Sequence, residues 1–202
     1  MDRSVVFIPR DPVLPGGIFL NCVCLLAICG YLGMILHHQW ALQEAPCALC
    51  LLERTGIILT GMGFMKNLRH GVKSAHYGVA LLGALATGLV ALRDMSLHVL
   101  PGQEAQGAVL LGLHLYTLNA LFSLLACIVI AMLLGFKSAE YPATLRLLQR
   151  GESPDRLQRR PWGRIAMCLL FVLMVGANLA SIASWCGGTG CNEDLVDELQ
   201  LR

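Results

Sequence analysis

Five long apolar runs, separated by short polar stretches, organise the chain. They cover 17–36, 47–65, 77–92, 165–184 and a stretch within 108–136 that begins at about Tyr116. A helix rises about 1.5 Å per residue and the hydrocarbon core of a bilayer is about 30 Å thick, so about 20 residues cross it. Backbone groups in lipid must be hydrogen-bonded within the protein, which favours helices here. The pattern predicts an all-α polytopic membrane bundle, with a four-helix core and a fifth C-terminal transmembrane helix.

The composition excludes most other classes of protein. Of the 202 residues, 56% are hydrophobic and 14% are charged, and the mean hydropathy is +0.64. A soluble domain carries about 25% charged residues, so a soluble enzyme, a disordered chain, a coiled coil and a collagen are all excluded. The net charge of +2 gives no basis for a nucleic-acid-binding surface. The lipid bilayer is the expected surrounding medium.

The distribution of charge predicts the orientation. Twelve of the 15 Lys and Arg residues fall on the side of the N-terminal tail, and eight of the 13 acidic residues fall on the other side. By the positive-inside rule, the N-terminus is cytoplasmic and the C-terminus lies outside, in the periplasm of a bacterium. We expect one integral membrane domain over 1–202, made of a cytoplasmic tail (1–16), the four-helix core (17–136), a basic cytoplasmic loop (137–164), the fifth span (165–184) and a periplasmic tail (185–202).

Nine cysteines fall into two groups. Five lie inside predicted spans, where a cysteine usually acts as a small hydrophobic residue: Cys22, Cys24, Cys29, Cys127 and Cys168. The other four form two pairs, both on the predicted outer side, where disulfides persist: Cys47 with Cys50, and Cys186 with Cys191. Two pairs on one face indicate redox chemistry or structural disulfides.

The C-A-L-C pair has a setting that favours thiolates. Pro46 suits the start of a helix, and the positive end of the helix dipole stabilises a thiolate there. Arg54 follows Cys50 by four residues and shares its helical face. A charge within an apolar run is a functional hypothesis by default, although an ion pair with Glu53 would explain Arg54 structurally. A structural disulfide and a zinc site stay open, whereas attachment of haem c is excluded because Leu51 replaces the required histidine.

The second pair, C-G-G-T-G-C at Cys186 and Cys191, is less specific. Its glycines allow tight turns, so a disulfide within the loop is sterically easy. Such a disulfide would either order the tail or act as a second redox pair that exchanges electrons with the first.

The stretch 45–54, A-P-C-A-L-C-L-L-E-R, resembles the P-C-x-L-C-x-x-E/Q-R motif of the disulfide bond formation protein B (DsbB) family. The stretches 97–102 (L-H-V-L-P-G) and 112–117 (G-L-H-L-Y-T) are similar to the exit of its third span and the entry of its fourth. The resemblance covers about 17–136.

This resemblance implies a quinone-dependent thiol oxidase of the bacterial inner membrane. Such an enzyme reoxidises a periplasmic thioredoxin-like oxidase of the DsbA type and passes the electrons to ubiquinone or menaquinone. Cys47 and Cys50 match the redox pair close to the quinone, with the Cys50 thiolate facing it, and Arg54 matches the quinone-binding arginine. His98 and His114 are candidates for ring contact or proton delivery.

One departure from the family concerns the second cysteine pair. Better-known members carry it in the periplasmic loop between spans three and four, but 93–115 contains no cysteine here. We expect Cys186 and Cys191 to replace it. Two alternatives remain: a membrane scaffold with structural disulfides, and a carrier of reductant across the membrane. Single cysteines within the spans disfavour the carrier, and the scarcity of intramembrane charge disfavours a pore.

Overall fold

The computed structural model describes residues 14–42, 48–98, 109–110, 113–149 and 161–186. They form five helices and one short antiparallel strand pair: α1 (Pro15–Leu42), α2 (Ala48–His70), α3 (Ser74–His98), β1 (Val109–Leu110), β2 (Leu113–His114), α4 (Leu115–Gln149) and α5 (Pro161–Cys186). In the strand pair, Val109 lies opposite His114 and Leu110 opposite Leu113. The predicted all-α membrane bundle is confirmed.

Four of the described helices, α1, α3, α4 and α5, are long and apolar enough to cross a membrane. Helix α2 has 23 residues, which is sufficient length, but it carries four charged side chains: Glu53, Arg54, Lys66 and Arg69. Large apolar side chains point outward on all five helices, among them Phe19, Leu52, Leu89, Leu124 and Leu173. Such an apolar exterior fits lipid. The crossing of the bilayer by α2, and the orientation of the termini, remain predictions.

Small residues bring α2 and α3 close together. A Cβ atom added to Gly83 would lie 2.7 Å from the carbonyl oxygen of Gly56, and one added to Gly63 would lie 2.6 Å from the Cβ of Ala80. No larger side chain fits between these backbones without moving them, which is the usual packing device of membrane helices. Gly71, at φ +87°, ends α2 in the left-handed conformation that favours glycine. The chain then reverses within 71–73 into α3.

The core lies where α1, α2, α3 and α5 meet, with α4 against α3 and α1. Its fully buried side chains include Leu25, Leu32, Ile57, Tyr77 and Phe171. The ring of Phe171 occupies the space beside Gly61, where any side chain would collide with it. Helix α5 therefore packs directly against α2, so the fifth predicted span is part of the bundle.

Polar side chains are also buried at the end of the bundle where α2 turns into α3. The Asn21 amide donates to the Tyr77 hydroxyl at 2.6 Å, and the Asn67 amide donates to Asn21 Oδ1 at 2.9 Å. Asn67 Oδ1 accepts the backbone N–H of Lys73 at 3.0 Å and lies 3.0 Å from His76 Nδ1. We call Asn21, Asn67, His76 and Tyr77 the turn-end network. It connects α1, α2 and α3.

Helix α4 extends beyond the predicted end of the fourth span. The segment 137–164, expected to be a loop, is helical as far as Gln149 and again from Pro161. Good helix formers such as Ala, Leu, Glu and Arg dominate 139–149, so propensity continues the helix past the apolar run. Within this extension the Glu140 carboxylate accepts the backbone N–H groups of Gly16 at 2.9 Å and of Gly17 at 3.0 Å. These are first-turn donors of α1, which otherwise have no helical partner.

Candidate functional site

Cys50 lies in the first turn of α2, which begins at Ala48. It is disulfide-bonded. The cysteines with described side chains on α1, α4 and α5 are free thiols: Cys22, Cys24, Cys29, Cys127 and Cys168. The first turn of a helix presents unpaired N–H groups and the positive end of the dipole, so the Cys50 sulfur occupies a place that stabilises a thiolate on reduction.

Glu53, one turn further along α2, is 1% exposed. Its Oε2 accepts a short hydrogen bond from the Asn119 amide of α4, and the carbonyl of Asn119 accepts the Tyr31 hydroxyl of α1. The Tyr31 ring stacks on Phe122, with centroids 4.8 Å apart and planes at 5°. Three helices therefore fix the position of this carboxyl group.

Arg54 is also buried, at 4% exposure. Its Nη1 donates to Gln39 Oε1, near the end of α1, at 3.0 Å. The structural alternative to a functional Arg54 was an ion pair with Glu53. In the structure the two side chains bond to different partners, Gln39 and Asn119, and the described contacts include no hydrogen bond between them.

Two carboxyl groups lie close to the Cys50 sulfur. Asp94, near the end of α3, is buried. One carboxylate oxygen of Asp94, one of Glu53 and the sulfur of Cys50 all lie within 4.8 Å of one another. Thr87, two turns earlier on α3, donates to the backbone carbonyl of Glu53 at 3.3 Å, which holds α2 and α3 together at this level.

Several buried polar atoms of the site have no partner. Among the described residues five buried side-chain polar atoms lack a hydrogen bond, and three of them are here: Gln39 Nε2, Glu53 Oε1 and Arg54 Nε. The other two are on α5, at Asn178 and Ser181. Buried polar groups are almost always paired in native proteins, so each exception calls for an explanation. Two donors and one acceptor are left open on three neighbouring side chains, so we treat this part of the bundle as a candidate binding site. We call Gln39, Cys50, Glu53, Arg54 and Asp94 the Cys50 site.

The remaining predicted site residues fall at the edges of the described structure. Cys47 and Cys191 lie outside the described residues. Cys186 and His98 are the last residues of α5 and α3, and their side chains are not described. His114 is on β2, where its ring stacks on Tyr116 with centroids 5.1 Å apart. The roles predicted for these five residues therefore stay predictions.

The structure adds three residues that sequence reasoning missed: Gln39, Asp94 and Asn119. Each is a polar residue within or at the end of an apolar helix, and a buried polar residue in a membrane helix is costly enough to indicate a role. That signal was available in the sequence. The pairing of Gln39 with Arg54 and of Asn119 with Glu53 was not, because it depends on how three helices pack.

This arrangement defines a class of protein: a helical membrane bundle with a disulfide in the first turn of α2, two buried carboxyl groups close to its sulfur, and a buried arginine one turn further along the same helix. Comparison with known proteins shows a similarity to one family. The family model of the disulfide bond formation protein DsbB matches residues 18–107. The matched stretch contains every residue of the Cys50 site.

Individual proteins show the same similarity. The chain is similar to proteins named disulfide bond formation protein B from three bacteria. The protein from Hahella chejuensis is 31% identical over 86 residues, which are 41% of this chain and 52% of that protein. The proteins from Marinobacter nauticus (34% identical over 93 residues, 44% of this chain and 52% of that protein) and Aromatoleum aromaticum (38% identical over 88 residues, 41% of this chain and 52% of that protein) are similar to the same extent. The chain spans about half the length of these curated relatives. No solved structure matches the chain significantly.

Proposed function

We propose that the protein is a thiol:quinone oxidoreductase, which reoxidises a periplasmic dithiol oxidase of the DsbA type and so drives disulfide bond formation. The observation that carries the proposal is the position of Cys50: disulfide-bonded, in the first turn of α2, one turn from the buried Arg54 and within the stretch that matches the DsbB family model. A disulfide held only as a structural staple needs no buried charge beside it. A redox disulfide benefits from one, because a cation stabilises the thiolate that forms on reduction.

The residues of the Cys50 site fit a quinone. Arg54 Nε and Gln39 Nε2 are buried donors without a partner, and a quinone offers two carbonyl oxygens as acceptors. These two side chains would hold the ring close to Cys50. When bound there, a quinone supplies an acceptor for two electrons and two protons.

The cysteines carry out the thiol–disulfide exchange. A thiolate of the partner attacks a disulfide of this chain, and the mixed disulfide resolves with oxidation of the partner. We propose that Cys50 pairs with Cys47, as the C-x-x-C spacing favours, and that Cys186 and Cys191 form the pair that first meets the partner. Each exchange moves two electrons and two protons. The helix N-terminus and Arg54 stabilise the Cys50 thiolate, and closure of the Cys47–Cys50 disulfide releases the two electrons.

An assay with purified components tests this function. The protein, a quinone and a reduced thioredoxin-like partner are mixed, and quinone absorbance is followed. Cys50→Ser should abolish turnover, because neither the thiolate nor the disulfide can form. Cys168→Ser, which removes a free thiol from α5, is the matched control and should turn over normally. Full turnover by Cys50→Ser would disprove the mechanism.

The second pair and the orientation have separate tests. Cys186→Ser should prevent oxidation of the partner while chemical dithiols still reduce the Cys50 disulfide; unchanged oxidation of the partner would make that pair a structural staple. A membrane-impermeant maleimide added to intact spheroplasts after reduction should label Cys47 and Cys50. Labelling that requires permeabilised membranes would place both on the cytoplasmic side and contradict the proposal.

A further inference from the structure

We propose that Cys50, Glu53 and Asp94 form a binding site for a divalent cation of the zinc type once the Cys50 disulfide is reduced. The proposal goes beyond the thiol oxidase function and does not require it, because it needs only a disulfide that can be reduced. A metal bound there would occupy the sulfur and block thiol chemistry.

The geometry of the three groups favours a common ligand. Cys50 and Glu53 are three residues apart on α2, so their side chains lie on one face, and Asp94 reaches the same place from α3. Their ligand atoms all lie within 4.8 Å of one another. Zinc bonds of about 2.0–2.3 Å place tetrahedral ligands about 3.5 Å apart. Side-chain movements of about 1 Å would therefore bring the three ligand atoms to the spacing that zinc requires. Release of the Cys50 sulfur from its disulfide allows this movement.

The unpartnered oxygen of Glu53 is an independent indication of a ligand. Glu53 is almost completely buried, and its Oε1 has no hydrogen-bond partner. Asn119 holds the other oxygen, Oε2, and is itself held by Tyr31. Metal-binding carboxylates are commonly oriented in this way, with one oxygen held by a neighbouring donor and the other directed at the metal.

The charges of the three ligands favour a divalent cation. A Cys50 thiolate and two carboxylates bring negative groups together in a buried place, which is costly. A cation bound between them reduces their mutual repulsion. Sulfur and oxygen ligands together suit zinc better than magnesium or calcium, which prefer oxygen alone.

Reduction controls the site. Two electrons and two protons from a dithiol convert the disulfide into two thiols, and Cys50 then loses its proton when the metal–sulfur bond forms. The oxidised protein has no free sulfur at this position and should not bind the metal. Because the ligands bind in their deprotonated forms, affinity should rise with pH.

A metal titration tests the proposal without quinone or partner. The full-length protein in detergent carries Cys186→Ser and Cys191→Ser, so that the C-terminal thiols do not compete, and is reduced with a phosphine. Co²⁺ is then added without oxygen. We expect one equivalent to bind with a thiolate-to-cobalt charge-transfer band in the near ultraviolet, and Zn²⁺ should displace it.

Variants decide between this site and unspecific binding. Cys50→Ser should remove the band, and Asp94→Asn and Glu53→Gln should each weaken Zn²⁺ binding by about tenfold or more. Glu140→Gln, a carboxylate at the far end of α4, should bind as the parent does. Asp94→Glu should retain partial binding, and an unchanged circular dichroism spectrum shows that a variant is folded. Equal affinity in Asp94→Asn and the parent, or binding to the oxidised protein, would overturn the proposal. Oxidase activity is measured separately in metal-free buffer, so failure of one proposal leaves the other standing.

Discussion

The turn-end network and the Cys50 site bury similar polar side chains but complete their hydrogen bonds differently. In the turn-end network Asn21, Asn67 and Tyr77 bond to one another and to the backbone, and the structure leaves none of their buried polar atoms without a partner. At the Cys50 site Gln39, Glu53 and Arg54 each keep one open atom. Both networks connect α1 and α2, but they lie at opposite ends of α2.

We interpret the contrast as one between a structural role and the proposed binding role. A closed polar network in a membrane bundle stabilises one arrangement of helices, because every alternative leaves polar groups unpaired in an apolar medium. In an open network each unpaired group reduces the stability of the fold. A ligand that supplies the missing hydrogen-bond partners would explain why such groups are buried. Substitutions in the first should reduce stability and spare activity, and substitutions in the second should do the reverse.

Replacing the guanidinium is expected to give the largest effect. Arg54→Met should lower kcat/KM for quinone by about 10–100-fold, because a charged hydrogen bond is worth about 1.5–3 kcal/mol. The free energy of unfolding should stay equal or rise, because a buried and partly unpaired charge is replaced by an apolar side chain of similar length. Steady-state kinetics and unfolding in mixed micelles measure the two quantities. A loss of stability with normal kinetics would reverse the assignment of this site.

The corresponding change in the closed network is Asn67→Leu. It removes the hydrogen bond to Asn21, the one from Lys73 N–H and the contact with His76. At about 0.6 kcal/mol for each in a membrane protein, the loss should be about 2 kcal/mol of unfolding free energy. Turnover per folded molecule should be unchanged. If kcat/KM falls while stability does not, the turn-end network takes part in function and the comparison fails.

A smaller effect is expected at the neutral donor of the site. Gln39→Ala removes the open Nε2 and also the acceptor of Arg54 Nη1. A neutral hydrogen bond contributes about 0.5–1.5 kcal/mol, so KM for quinone should rise about 3–10-fold with little change in kcat. Gln39→Glu is the informative companion, because it keeps the acceptor for Arg54 and removes the donor. An unchanged KM in both variants would exclude Gln39 from the binding site.

The smallest effect is expected for Glu140→Gln. A neutral amide still has one oxygen for the N–H groups of Gly16 and Gly17, but it loses the charge that favours the N-terminus of α1. This interaction is worth about 0.3–1 kcal/mol. Thermal unfolding should detect a small decrease that salt reduces in the parent protein. An effect of several kcal/mol would mean that this contact holds α4 against α1.

Much of the bundle could be predicted from the sequence because a helix in lipid needs about 20 consecutive apolar residues, a pattern that can be read along the chain. Apolar runs of about 20 residues located all five helices, and the position of Cys50 in the first turn of α2 followed from Pro46. The helical segment 137–149 was missed because its residues lie beyond the apolar run on which the prediction rested. Arg54 was chosen as a candidate because it interrupts an apolar run, and its role stays a prediction.

The partners within the Cys50 site could not be predicted in the same way. Gln39, Asp94 and Asn119 come from three different helices, and no spacing within one helix shows which of them meet. The Glu53–Arg54 ion pair was a reasonable expectation for neighbours in sequence. Adjacent residues on a helix point about 100° apart, however, so each side chain meets a different neighbouring helix.

The glycine contact between α2 and α3 also determines the separation of the two carboxyl groups. Gly56 and Gly83 contain no polar side chain, yet the approach of their backbones sets how near Glu53 on one helix comes to Asp94 on the other. A methyl group added at Gly83 would push α2 and α3 apart. A substitution at this glycine would thus change the distance between the two carboxyl groups near the Cys50 sulfur without replacing either of them.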